Sequence, residues 1–284
     1  MIARVRREPV ECSVGGCAGG FVVTRPRPSA LLAEVFARPG KVEGAPYGLD
    51  LERLLDAPLG ELDVTRVLAL GSFLASVHVM KATGPTLYER RVRELVGHGG
   101  GLMGVLDSYA DAHTILPPPE CEELERRAVS WRWRLRGRGH RLSRTHGDFH
   151  PRNVLFRTRA DFSVLHGSWG EWGEPADDVA ALAIAYLLFG LRASAHRGRG
   201  GTSEPFLDLF RIFLDGYLCE SKDWELLEVL PPFLAFRALL VAHPGGPPAL
   251  DESGRRALIE LAAALLEPAP FDHTTVSRLF GEAS

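Results

Sequence analysis

From residue 50 onward apolar residues recur at helical spacing, and one stretch breaks the pattern. Between residues 145 and 175, Gly, Asp, His and Pro gather around two short apolar runs, 154–156 and 162–165. Two strands joined by a turn at 157–161 fit that stretch. Everything around it reads as helix. Asp63 is the expected N-cap of a helix running to about Met80, with Val67, Leu68, Leu70, Phe73, Leu74 and Val77 on its apolar face. Further helices are expected at 87–96, 102–113 and 120–135, the second ended by Pro117-Pro118-Pro119. After Pro175 the pattern predicts helices at 176–191, 206–219, 224–241 and 255–266. The fold class is therefore α+β and mainly helical. Residues 10–24, with Gly15-Gly16 and Gly19-Gly20, suggest a hairpin; 29–37 fits a helix or a strand equally well.

Charge excludes two function classes. Lys plus Arg is 33 and Asp plus Glu is 36, a net charge of -3, which fits neither a strongly basic nucleic-acid coat protein nor an acidic tail. The only lysines are Lys41, Lys81 and Lys222, so any chemistry that needs a lysine has three candidates. Cys12, Cys17, Cys121 and Cys219 form no CxxC pair, which reads as reduced thiols in a cytoplasmic protein. The N-terminal residues carry no apolar signal-peptide region. The longest apolar run, 179–190, is shorter than the roughly 20 residues a membrane span needs, so it is expected to be a core helix.

Chemistry concentrates in Thr145-His146-Gly147-Asp148-Phe149-His150-Pro151-Arg152-Asn153. A carboxylate and an amide five positions apart on a tight loop can act on one reacting group. His146 and His150 are four apart, a spacing that suits zinc on a helix, but Gly147 and Pro151 break any helix there. The segment resembles the H-G-D-x-x-x-x-N catalytic loop of the aminoglycoside phosphotransferase and choline kinase-like family. Three more segments agree, in the family's order. Leu74-Ala75-Ser76-Val77-His78 resembles its L-A-x-h-H helix end, Val42-Glu43-Gly44 with Ala45-Pro46-Tyr47 its inter-lobe hinge, and Gly173-Glu174-Pro175-Ala176-Asp177-Asp178 its G-D-P-A-x-D segment.

The resemblance implies a protein-kinase-like two-lobe fold: a truncated β-rich N-terminal lobe and hinge over 1–48, and a helical C-terminal lobe over 49–284 carrying the catalytic loop at 145–156. It implies ATP-dependent phosphoryl transfer to a hydroxyl of a small molecule, with ATP and Mg2+ as cofactors. Asp148 would take the hydroxyl proton and Asn153 would bind the metal. His146 and Asp178 would support the loop, and Val42, Glu43 and Gly44 would face the nucleotide from the hinge. Glu204, Asp208, Asp215 and Glu220 could hold a cationic acceptor.

Departures from the family pattern keep other readings open. His166 stands where the family has a second, metal-binding Asp; imidazole is a poor partner for Mg2+, and losing that carboxylate should cost on the order of 10²-fold in rate. Glu171 or Asp177 is a candidate substitute carboxylate. Gly15 to Gly20 fits no phosphate-binding glycine pattern, Lys41 is badly placed for the phosphate lysine, and Trp169 is bulky for a residue beside a nucleotide. The first alternative is thus a catalytically impaired pseudokinase acting as a binding module. The second is a nucleic-acid-binding module using Arg126, Arg127, Arg132, Arg134, Arg136, Arg138, Arg141 and Arg144 with Trp131 and Trp133 interleaved. The negative net charge disfavours the second and favours a solvated helix face.

Overall fold

The computed structural model describes residues 43–109, 115–165, 172–195, 203–245 and 250–280. Strand β1 (Ala45–Pro46) opens the described chain and runs into helix α1 (Tyr47–Arg53). Helices α2 (Glu61–His78), α3 (Pro85–Val96), α4 (Leu102–Ser108) and α5 (Pro118–Arg134) follow. The strands β2 (Ser143–Arg144), β3 (Val154–Thr158), β4 (Asp161–Val164) and β5 (Trp172–Gly173) occupy the stretch where helical periodicity fails. Helices α6 (Pro175–Ala195), α7 (Glu204–Ser221), α8 (Leu226–Ala242), α9 (Glu252–Leu265) and α10 (His273–Ser277) complete an α+β, mainly helical structure.

Local chemistry sets several of these boundaries. Asp63 lies inside α2 rather than capping it: its Oδ2 accepts the N–H of Gly60 at 3.0 Å, satisfying a donor just outside the first turn. Pro117-Pro118-Pro119 begins a helix instead of only ending one. Pro118 is the first residue of α5, where a missing N–H costs nothing. The turn between β3 and β4 holds Arg159 at φ 49.

Helix α6 is the centre of the core. Val179, Ala180, Leu182, Tyr186 and Leu187 have no exposed surface, and α6 packs against both α7 and α8. It is long and apolar enough to cross a membrane by length and composition, yet 78% of that window is buried within the protein, as a core helix requires. Helix α2 lies on α7, and α9 on α8.

Two small antiparallel sheets frame the loop between β2 and β3. One has the order β1-β3-β4, with Ala45 opposite Phe156 and Val154 opposite Val164. The other pairs β2 with β5, Ser143 facing Gly173. Among the described cysteines Cys121 is a free thiol. Val42, Lys41, His166, Trp169, Glu171 and the segments 10–24 and 29–37 lie outside the described residues.

Candidate active site

Loop 145–153 is pinned from below by aromatic packing. Phe149 is fully buried and stacks on Phe73 of α2, ring centroids 5.6 Å apart, and His146 meets Phe149 edge-on. Gly147 has φ 86, a left-handed conformation that strains a residue with a Cβ. Pro151 then starts one 3-10 turn that ends at Asn153, where β3 begins.

Asp178, in the first turn of α6, organises the backbone above this anchor. Its Oδ2 accepts the N–H of His146 at 2.6 Å and its Oδ1 that of Gly147 at 2.7 Å. His78, the last residue of α2, lies 3.1 Å from the same Oδ2 through Nε2, while its Nδ1 is 2.8 Å from the Tyr217 hydroxyl. A neutral His78 with its proton on Nε2 satisfies both contacts, since Tyr217 can then donate to Nδ1. Burial drives the Asp178 carboxyl up, but His78 and His146 outweigh it and hold its pKa below the ordinary carboxylate value. His146 also ties the loop to the end of β4: its Nε2 is 2.8 Å from the Leu165 carbonyl, and its Nδ1 accepts the Asp148 N–H at 3.2 Å.

Asp148 and Asn153 are brought together. The Asn153 Nδ2 donates to the Asp148 carbonyl at 3.0 Å and lies 3.5 Å from Asp148 Oδ2. With its nitrogen so used, Asn153 keeps Oδ1 as a hard oxygen that fits Mg2+. No cluster of three or more His, Cys, Asp or Glu side chains suited to a metal occurs among the described residues.

Both oxygens of Asp148 already face side chains of the protein. Oδ1 accepts from Arg237 Nη1 at 3.3 Å, and Oδ2 is 3.3 Å from His150 Nε2. The His150 Nδ1 accepts the Arg152 N–H, which leaves the ring proton on Nε2 to face the carboxylate. Burial pushes the Asp148 carboxyl up, and His150 and Arg237 together bring its pKa below the ordinary value. Arg237, from α8, is 8% exposed and also donates to Asp177 Oδ1, through Nη2 at 2.7 Å and Nε at 3.2 Å. Asp177 is thereby committed to Arg237; burial nonetheless leaves its pKa raised.

A cavity of about 640 Å³ opens beside Asp148. Asp148, Asp177 and Arg237 form one wall, while Trp172, Phe233 and Phe236 supply apolar surface. Glu204, Asp208, Asp215 and Glu220 do not line it. Asp208 pairs with Arg211, Asp215 lies near His273, and Glu220 borders a separate cavity of about 340 Å³. Of the residues expected to form a hinge, Glu43 is exposed and Gly44 lies against β3, where an added Cβ would fall 2.9 Å from Leu155 Cβ.

The arginine series is not a free basic stripe. Arg126 and Arg127 pair with Glu123, Arg136 with Glu89, and Arg138 with Glu225 and Glu228. Arg141 is 2% exposed and is not on a solvated helix face at all: it binds Glu174 and Asp223, each at 2.7 Å. Glu174 in turn accepts from Tyr88 and from the Ala176 N–H at the start of α6. The Arg144 guanidinium stacks over Trp172, and Trp131 is buried with its indole N–H on the Leu266 carbonyl.

Sequence reasoning missed Arg237 and the joint role of His78 and Tyr217. One signal existed for the first: a single arginine inside the apolar run of α8, since a buried charge demands a partner.

Comparison with known proteins follows the same loop. No curated protein sequence matches. Solved structures of glucosamine kinase are similar in part. Crystal form B has 17% identity and a TM-score of 0.49, covering 86% of this chain and 60% of that one. Crystal form A has 18% identity and a TM-score of 0.47, covering 81% and 58%. The complex with glucosamine, ADP and inorganic phosphate has 17% identity and a TM-score of 0.43, covering 86% and 58%. The chain thus spans about three-fifths of the length of those structures. The sequence model of the phosphotransferase enzyme family (APH) matches residues 42–165, ending at the residue after β4. The family match thus covers the part of the chain that builds the loop of Asp148 and Asn153.

Proposed function

We propose that this protein transfers a phosphoryl group from ATP to a hydroxyl of a small molecule seated in the cavity beside Asp148. The observation that carries the reading is the pairing of Asp148 with Asn153 on a braced loop at the wall of that cavity. Asp148 orients the acceptor hydroxyl through its carboxylate and takes its proton as the new bond forms. Asn153 offers Oδ1 to a nucleotide-bound Mg2+, which would supply charge neutralisation on the phosphates. Asp178 holds the backbone at His146 and Gly147, so the carboxylate is positioned before the acceptor arrives. Trp172, Phe233 and Phe236 exclude water from one side of the acceptor.

The test is ADP release from Mg-ATP across a panel of hydroxyl compounds. Asp148→Asn should lower turnover by roughly 10²- to 10⁴-fold without loss of folding. Equal turnover in the variant would overturn the assignment of Asp148. Nucleotide binding without turnover on any acceptor would favour the pseudokinase reading instead.

A further inference from the structure

Four carboxylates line the cavity beside Asp148 among the described residues: Glu94, Asp148, Glu174 and Asp177. Each faces an arginine of the chain itself. Glu94 is 3.6 Å from Arg91, Glu174 is 2.7 Å from the buried Arg141, and Arg237 lies 3.3 Å from Asp148 and 2.7 Å from Asp177. The last contact is the decisive one, because Arg237 reaches both acids nearest the reacting position. Its Nη1 goes to Asp148, while Nη2 and Nε converge on Asp177. The planar fork makes this geometry possible from a single side chain on α8.

Two adjacent carboxylates at the wall of a cavity are stabilised as ions by a cation placed between them. A protein that recognises an amine leaves such a pair open and lets the ligand's ammonium group complete it. Here the position is already filled from within, by a guanidinium that is 8% exposed and held by three hydrogen bonds. An ammonium group entering beside it would meet like charge and find no unpartnered carboxylate among the described lining residues. Such an arrangement discriminates by repulsion.

We propose that Arg237 is a specificity-determining residue of the acceptor cavity: its guanidinium takes the place between Asp148 and Asp177 that an acceptor's ammonium group would occupy, and so turns amines away in favour of neutral hydroxyl compounds. The assignment rests on the reading that this cavity holds the acceptor. It reverses the expectation of a cationic acceptor.

Isothermal titration calorimetry with glucose and glucosamine, at about pH 6 where the amine is protonated, tests the proposal on the full chain without nucleotide. The unaltered protein should bind glucosamine at least about tenfold more weakly than glucose, the scale expected of one like-charge contact. Arg237→Met should reverse the ranking, and Arg237→Lys, which keeps the charge, should preserve it. A preference for glucosamine in the unaltered protein overturns the proposal even if Arg237→Met fails to fold. So does a glucosamine-to-glucose ratio that stays within twofold in Arg237→Met, including no detectable binding of either sugar. The calorimetry is independent of catalysis. Absence of ATP turnover on every acceptor would sink the phosphotransferase reading while leaving the binding ratio to judge Arg237.

Discussion

The two oxygens of Asp178 divide the backbone N–H groups of His146 and Gly147 between them, at 2.6 and 2.7 Å. One carboxylate at the start of the central helix thereby fixes the shape of a loop more than thirty residues earlier in the chain. Because Asp178 has no exposed surface, those bonds are made in a medium where an unsatisfied donor is costly.

Asp178→Asn keeps the size of the side chain but turns an N–H₂ toward a backbone donor or toward His78. The variant should lose about 3 kcal/mol of stability, as for a buried charge network deprived of one partner. Urea unfolding at neutral pH measures it. A loss smaller than 1 kcal/mol, by the scale of a single ordinary hydrogen bond at about that value, would show that the loop holds its shape without this brace.

The same carboxylate predicts a pH dependence. Its pKa in the folded protein lies below the ordinary value, chiefly because His78 and His146 outweigh burial. A depressed folded pKa stabilises the fold fully above the unfolded value, about 3.9, and the contribution disappears as pH falls through the lower folded value. The gap in stability between the unaltered protein and Asp178→Asn should therefore be constant at neutral pH and shrink in acid below about pH 4. A gap that widened on acidification would contradict the assignment.

Arg141 should behave as a structural residue. It is 2% exposed and holds Glu174 and Asp223, while Glu174 also receives Tyr88. Arg141→Met strands buried carboxylates and should cost about 3–5 kcal/mol. Arg126→Ala, which removes a surface partner of Glu123, should change stability by less than about 1 kcal/mol. Chemical denaturation of both variants separates a core hub from a surface charge.

Gly44 tests how closely the chain before β1 approaches β3. A methyl group there would sit 2.9 Å from Leu155 Cβ and 3.1 Å from the Phe156 carbonyl oxygen, and both neighbours belong to a paired strand. Gly44→Ala should destabilise by about 1–3 kcal/mol through overpacking. Removing the clashing atom in Gly44→Ala/Leu155→Gly should relieve only part of this, because the contact with the Phe156 carbonyl remains. Thermal unfolding of the single and double variants gives the coupling.

Much of the secondary structure could be read from the chain because helical periodicity is a local property. The apolar spacing placed α6 at 176–191 against an observed Pro175–Ala195, and α8 at 224–241 against Leu226–Ala242. The two strands around the turn at Arg159 were equally legible, since β-runs and turn residues are also local. Asp148 and Asn153 could be picked out together because five positions of chain separate them.

The amino-acid order alone determined the α+β, mainly helical class and the loop that carries Asp148 and Asn153, both of which depend on residues near one another in the chain. Only tertiary structure decided what each charge does. Arg141 sits in a series that looks solvated but folds inward onto Glu174, and Arg237 lies 89 residues from the Asp148 it faces. The reason is physical: periodicity and turn chemistry act within a few residues, whereas the partner of a buried charge is chosen by whichever helix packing brings within hydrogen-bond reach.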